Sequence, residues 1–318
     1  MLSSAELLPH TKTLLAFLKD NKQKGGTLLL SGAGVSTDSG IPDYRGHNGS
    51  YYKAHRPTTH QEFIEPNSVL LRKRYWARSI FGYSGFHNAM PNDGHRAMAK
   101  LEEFGLLGVP TRDVTCVTQN VDGLHQRGGM RSVLELHGSG HHVECLSCGH
   151  EVKRIDYQRT LAKLNADFVD GINAQSTDTN DRSKELMPDG DANLENQDFS
   201  SLIVPSCESC SEGLMKPSVT FFGAAVEKEL VERVYRACDD AAGLVVAGSS
   251  LTVYSAFRFV KFMHDAGKPI CIINSGETRG DPLASLKLSV DVTDVFKQAV
   301  EVTKAEKEGK EKINTVNQ

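Results

Sequence analysis

Three short, uninterrupted apolar runs constrain this chain more than any other feature. Thr27-Leu28-Leu29-Leu30 empties into Ser31-Gly32-Ala33-Gly34-Val35-Ser36, Leu244-Val245-Val246-Ala247 into Gly248-Ser249-Ser250, and Ile270-Cys271-Ile272-Ile273 into Asn274-Ser275-Gly276. A strand with one wet face alternates apolar and polar residues, so runs without a polar position suit a parallel sheet covered by helices on both sides. Helix-like segments, Val226 to Ala242 and Tyr254 to Ala266, precede and follow the second run. Gly, Ser or Asn at three strand ends outlines one ligand crevice at the C-terminal edge of such a sheet.

A fourth stretch, Val114 to Cys148, adds chemistry. Val114, Cys116 and Val117 read as a buried strand that ends in Gln119-Asn120-Val121-Asp122-Gly123, and Val133-Leu134-Glu135-Leu136 delivers His137 and Gly138. Asn120, Asp122 and His137 could therefore converge at neighbouring strand ends. On this stretch alone, a hydrogen-bonded core histidine and a plain turn explain the residues better.

The loop after Leu30 is built of small residues that let a ligand approach the backbone, and N–H groups opening a helix favour a phosphate. The six-residue dinucleotide fingerprint is incomplete, because Thr37 stands at its third glycine, and no Gly-Lys-Ser/Thr follows. Ile41-Pro42-Asp43-Tyr44-Arg45-Gly46 is a proline-stiffened segment suited to a lid over a nucleotide. Leu14, Leu15, Phe17 and Leu18 mark a packing helix after Pro9 that ends near Asn21 to Gly26; Ala97, Leu101 and Phe104 mark another. Arg72 to Arg78 reads as an amphipathic helix with a solvated basic face, and the charged tail after Val302 as a fraying end.

Cys145-x-x-Cys148 and Cys207-x-x-Cys210 supply four thiolates on two knuckle turns, a set suited to tetrahedral zinc. The interval from Cys148 to Cys207 is longer than usual for a zinc ribbon, and a thioredoxin-like site would need only one pair. Ala174 to Ser201 explains the length: it is rich in Asp, Asn, Ser, Gln and Glu and has too few large apolar residues to fold by itself. Cys116, Cys238 and Cys271 lie in apolar surroundings and read as core.

Composition sets limits. A chain of 318 residues suggests roughly two domains. The formal charge of −4 gives no bulk electrostatic case for nucleic acid or anionic membrane, and no apolar run is long enough to span a bilayer. Seven cysteines without a secretion signal argue for a reducing compartment. Lys12, Lys19, Lys22 and Lys24 mixed with Glu6 and Asp20, with no arginine among them, make a poor transit peptide.

Gly32-Ala33-Gly34, Pro42-Asp43-Tyr44-Arg45, Thr118-Gln119-Asn120-Val121-Asp122, Glu135-Leu136-His137-Gly138, both cysteine pairs, Phe221-Phe222-Gly223, Gly248-Ser249-Ser250 and Asn274-Ser275-Gly276 occur in the order of the sirtuin (Sir2) family, which the chain resembles from about Gly26 to Val300. Arg74-Tyr75-Trp76-Ala77-Arg78, Leu286-Lys287-Leu288 and the long cysteine interval look most like its class II, sirtuin-4-like branch.

The resemblance implies an α/β fold: a Rossmann-like parallel-sheet domain, residues 1–142 and 214–318, with a smaller inserted zinc-binding module, residues 143–213. That module carries a disordered insertion at about 174–201, and residues 46–95 form the helical part of the small lobe. It also implies an NAD-dependent protein lysine deacylase, in which the acyl oxygen attacks C1′ of the nicotinamide ribose, nicotinamide leaves and the acyl group ends on ADP-ribose. His137 would be the general base and Asn120 its catalytic partner. Gly32, Ala33, Gly34, Asp43, Tyr44, Arg45, Gln119, Asn120, Asp122, Gly248, Ser249, Ser250, Asn274, Ser275, Gly276 and Val292 would hold NAD. Val219, Phe221, Phe222 and Gly223 would hold the acylated-lysine protein substrate, and Cys145, Cys148, Cys207 and Cys210 one structural Zn2+.

Thr220, where valine is usual, and Ala224, where an acidic residue is common, leave the acyl preference open. A mono-ADP-ribosyltransferase of the same family is the nearest alternative. From other classes come an NAD-dependent oxidoreductase with structural zinc and a non-enzymatic zinc-ribbon scaffold. No direct nucleic-acid or membrane partner is expected, and the resemblance points to the mitochondrial matrix, with cytoplasm or nucleus as the alternative.

Overall fold

The computed structural model of the chain describes residues 2–46, 57–175, 192, 194 and 197–316. In chain order its elements are α1 (Ser4–Lys22), β1 (Thr27–Ser31), α2 (His60–Ile64), α3 (Val69–Asn88), α4 (Asp93–Glu103), β2 (Cys116–Thr118), α5 (Leu124–Arg127), β3 (Val133–Glu135), β4 (Gly138–Cys145), β5 (Glu151–Lys153), α6 (Arg154–Leu164), α7 (Ala166–Gln175), β6 (Met215–Val219), α8 (Lys228–Asp240), β7 (Gly243–Ala247), α9 (Tyr254–Asp265), β8 (Ile270–Ile273), β9 (Leu286–Leu288) and α10 (Val292–Val316).

The apolar runs form the centre of a six-stranded parallel sheet of order β3-β2-β1-β7-β8-β9. Successive residues point to opposite faces, so Leu29, Val245, Cys271 and Ile273 pack with α1, α4 and α10, while Leu28, Leu30, Val246 and Ile272 pack with α8 and α9. Both sets are 0 to 1% exposed, which is why the runs carry no alternation. Cys116, Cys238 and Cys271 are buried in these two layers, as expected. The strand order turns back between β1 and β7, the switch point at which a doubly wound sheet opens a crevice.

A second sheet, antiparallel and of order β5-β4-β6, anchors the smaller lobe. It packs with α2, α3 and α6 around Phe63, Trp76, Val143, Leu161 and Met215. Pairing of Gly138 with Val219 and of Cys145 with Met215 carries this sheet beyond residues 143–213 at both ends. Lys216 and Pro217 therefore belong to the small sheet. Lys216 is tolerated in its interior because Nζ meets Glu144 Oε1 at 2.9 Å and two carbonyl oxygens.

Two expectations change, and a third lies mostly outside the described residues. Arg72 and Arg78 are not on a solvated face: both are buried, Arg72 donating to the carbonyls of Phe63, Glu65 and Pro66, and Arg78 Nε to that of Ala192. An arginine can satisfy several orphan carbonyls at once, which composition alone does not reveal. The tail after Val302 is helical, since α10 continues to Val316, and its first turns are held: Lys19 pairs with Glu306, and Lys307 lies 4.0 Å from the Phe104 ring centroid. Most of the polar insertion at about 174–201 lies outside the described residues. At its margins α7 extends to Gln175, and Ala192, Leu194 and Phe199 are buried, with Leu194 and Phe199 in the small-lobe core. Among the described residues, no helix is long and apolar enough to cross a membrane.

Candidate active site

The C-terminal ends of β1, β2, β3, β7 and β8 open into a cavity of about 890 Å³ that the small lobe closes from the other side. Ala33, Gly34, Asp43, Tyr44, Arg45, Gln119, Asn120, Asp122, His137, Val219, Phe221, Phe222, Gly223, Gly248, Ser249, Ser250, Asn274, Ser275, Gly276 and Val292 all line it. Gly32 does not. It sits behind the wall, where an added Cβ would lie 2.7 Å from Ser249 Cβ and 2.8 Å from Gly248 O. Its smallness lets the β1 loop dock on the β7 loop, and Gly32 N–H and Gly34 N–H donate to the carbonyls of Ala247 and Gly248 at 3.0 and 2.9 Å. Those two N–H groups are thus committed to the scaffold, while Ala33 N–H makes no such backbone bond among the described residues.

Gln119 spans the same junction, its amide donating to Ser31 O at 3.1 Å and Ser249 Oγ at 2.8 Å. Asn120 and Asp122 meet through Ser36. Asn120 Nδ2 donates to Gly32 O and to Ser36 Oγ, both at 3.1 Å, and Ser36 donates to Asp122 Oδ2 at 2.7 Å. The other Asp122 oxygen accepts Leu124 N–H at 2.9 Å, opening α5. Asn120 is 8% and Asp122 3% exposed, so only a few of their atoms face the cavity.

His137 Nδ1 lies 3.0 Å from the carbonyl of Gln119 and Nε2 lies 2.8 Å from Ser255 Oγ. A carbonyl can only accept, so the proton sits on Nδ1 and Nε2 is the basic nitrogen, receiving the Ser255 hydroxyl. Burial pushes the His137 pKa down, opposed by the Gln119 hydrogen bond and reinforced by the Arg258 cation. The imidazole is therefore an uncharged base at neutral pH. Thr220 N–H donates to His137 O at 2.8 Å, which seats the Val219 to Gly223 segment beside the histidine. Within that segment Phe221 packs against Phe63 and Tyr75 in the small-lobe core, while Phe222 stands edge-on to Tyr44 at 6.5 Å.

Ser36, Ser255, Arg154 and Arg258 also line the cavity, and sequence reasoning assigned none of them a role. Ser36 lies in the glycine loop and Ser255 in the first turn of α9. A position just past a strand end is the only local signal that either carries.

The four paired cysteines lie away from this cavity, and their sulfurs fall within 4.8 Å of one another. Cys145 Sγ and Cys210 Sγ are 3.6 Å apart, Cys148 Sγ and Cys207 Sγ 3.7 Å. These separations are too long for disulfides. They match the edge of about 3.8 Å of a tetrahedron with zinc–sulfur bonds near 2.3 Å. A Cβ at Gly213 would overlap Cys145 Sγ, so glycine keeps that space open. Four thiolates complete the coordination and leave no position for a reactive water, so the zinc this set fits is structural.

The family model described as the Sir2 family matches residues 32–255. The chain is 41% identical, over 87% of its length and 90% of the relative's, to "NAD-dependent protein deacylase SIR4" of Batrachochytrium dendrobatidis. It is 44% identical, over 89% of its length and 88% of the relative's, to "NAD-dependent protein deacetylase 1" of Streptomyces coelicolor. Among solved structures, a Sir2 complex with p53 peptide and NAD+ superposes with a TM-score of 0.64 at 27% identity, covering 88% of this chain and 93% of that one.

Proposed function

The chain belongs to the Sir2 family and is an NAD-dependent protein deacylase, and we propose that its cavity residues divide that work as follows. NAD, when bound, supplies the ribose carbon that loses nicotinamide and the ADP-ribose that takes up the acyl group. His137 Nε2 takes a proton from a substrate hydroxyl brought to it, with Gln119 O fixing the tautomer and Ser255 holding the nitrogen until the hydroxyl arrives. Asn120 and Asp122, locked through Ser36, orient the ribose and nicotinamide half. Ala33 and Gly34 admit the pyrophosphate, with Gly32 holding their loop against β7, and Asp43, Tyr44 and Arg45 form the lid that excludes water. Gly248, Ser249, Ser250, Asn274, Ser275, Gly276 and Val292 hold the adenosine half. The acylated lysine enters along Val219, Phe221, Phe222 and Gly223, between the parallel-sheet lobe and the zinc-bearing lobe.

The observation that carries this assignment is the His137 geometry: a half-buried, uncharged imidazole with its basic nitrogen in the cavity and its other nitrogen tied to the Asn120 loop. Incubation with NAD and peptides bearing different acyl-lysines, followed by mass, tests it. Free lysine, nicotinamide and acyl-ADP-ribose should appear together and vanish in His137→Ala. Products formed at an unchanged rate by that variant would remove His137 from the role. The sirtuin-4-like features point to a mitochondrial-matrix enzyme acting on acyl-lysine proteins, which organelle fractionation of the native protein would check.

A further inference from the structure

One cluster at the cavity mouth holds no substrate group in the assignment above, although its Arg258 also helps to keep His137 uncharged. Tyr254 and Phe257, on α9, carry two guanidinium groups on their faces: Arg279 lies 4.1 Å from the Phe257 ring centroid and 5.9 Å from that of Tyr254, and Arg258 lies 5.6 Å from Tyr254. Tyr254 is 55% exposed, so the cluster is at the rim rather than in the core. An arginine stacked on an aromatic ring keeps its in-plane N–H edge free, and that edge is the one that matches a carboxylate.

Neither guanidinium has a carboxylate within 4.0 Å among the described residues, although the chain carries a net charge of −4. Arg258 Nε is buried and has no hydrogen-bond partner. The one hydrogen bond of the Arg279 side chain runs from Nη1 to Thr252 O at 3.3 Å, leaving its other donors uncommitted. Some surface cations do pair locally, as in Lys261 with Asp265 and Lys287 with Asp281. Ala224, where the resemblance expects an acid, lines the same cavity as Arg258 and removes a carboxylate from this mouth.

We propose that Tyr254, Phe257, Arg258 and Arg279 form a docking site for an acidic side chain of the protein substrate, a few residues from its acyl-lysine. The site extends the deacylase assignment from the acyl-lysine to the sequence around it, and it rests on that assignment for the placement of the lysine. An aspartate or glutamate would bridge the two stacked guanidinium groups. The site accordingly makes the enzyme selective for acyl-lysines in acidic surroundings.

Binding separates this proposal from turnover. Fluorescence anisotropy of labelled acetyl-lysine peptides with Asp, Ala or Lys at the flanking positions should show the Asp peptide binding about tenfold tighter than the Ala peptide. The preference should disappear in Arg258→Gln/Arg279→Gln. It should reverse toward the Lys peptide in Arg258→Glu/Arg279→Glu, a gain that an unfolded variant could not produce. A fourth peptide, Ala-flanked with an acyl chain ending in a carboxylate, identifies the source of the charge. Equal affinity for Asp and Ala flanks, or a preference confined to the fourth peptide, overturns the proposal. A protein that binds with the expected preference yet releases no nicotinamide would keep the docking site and lose the deacylase assignment.

Discussion

Gly34→Ala tests whether the β1 loop is held at a spacing that only a hydrogen atom permits. A Cβ there would lie 2.9 Å from Gly248 O, 3.0 Å from its Cα and 3.2 Å from its carbonyl carbon, all backbone atoms that cannot rotate away. Restoring ordinary contact moves the two loops apart by roughly half an ångström and stretches the Gly34 N–H bond to Gly248 O, now 2.9 Å. Overpacking of this kind costs about 1–3 kcal/mol, and weakening a buried hydrogen bond about 1 kcal/mol. The expected loss is therefore about 2–4 kcal/mol, or roughly 3–6 °C in Tm for a chain of this size. The same displacement shifts the cavity wall that meets the pyrophosphate, so ADP-ribose affinity by calorimetry should fall about tenfold or more. Gly267→Ala is the control. Gly267 has φ +68 and nothing within 4 Å of an added Cβ, so alanine costs about 1–2 kcal/mol of left-handed strain and leaves the cavity alone. The reasoning is refuted if Gly34→Ala loses stability but binds ADP-ribose as the unmodified chain does. It is equally refuted if Gly267→Ala weakens binding to the same degree.

Three further perturbations have defined signs. Ser36→Ala removes the hydroxyl shared by Asn120 Nδ2 and Asp122 Oδ2; it should cost about 1–3 kcal/mol in urea unfolding and raise KM for NAD, and an unaltered KM would detach the pair from the cofactor. Burial pushes His95 down to about 4 and His125 to about 3. The unfolded chain binds protons near pH 6.5 while the folded one resists them, so stability is full above pH 6.5 and falls as the pH drops toward 4. Because burial also lowers His137, the acid limb of kcat/KM should lie below pH 6.5, and a midpoint above that value would contradict an uncharged base. Cys207→Ser should unfold the small lobe, read as lost protection from hydrogen exchange around Trp76 and Val143, and a chelator that strips zinc without that loss would show the metal is dispensable for folding.

How much of this was legible depends on whether a residue's role is local. Leu28 to Leu30, Val245 and Val246, and Ile270 to Ile273 announced the parallel sheet because double burial leaves no polar position in the run, and a strand end needs no long-range information to become a crevice. The cysteine pairs were equally plain, since each knuckle is closed within four residues. Roles set across long sequence distances were hidden. Ser255 reaches His137 from α9, 118 positions away. Arg154, at 1% exposure, donates to Gly140 O and Ser79 Oγ and stacks on Tyr83 between α3 and β4, where composition would place it in water. Lys216 is likewise buried although it is charged, because Glu144 on β4 and two carbonyl oxygens partner its ammonium. Such residues share one property: each is a polar side chain whose satisfaction comes from a distant carbonyl, carboxylate or hydroxyl. A buried charge without that partner would cost several kcal/mol, so the lobes can close around the cavity only in the register that supplies it. The same polar contacts that sequence could not reveal therefore help fix where β6 lies on β4, and with it where the Val219 to Gly223 segment passes His137.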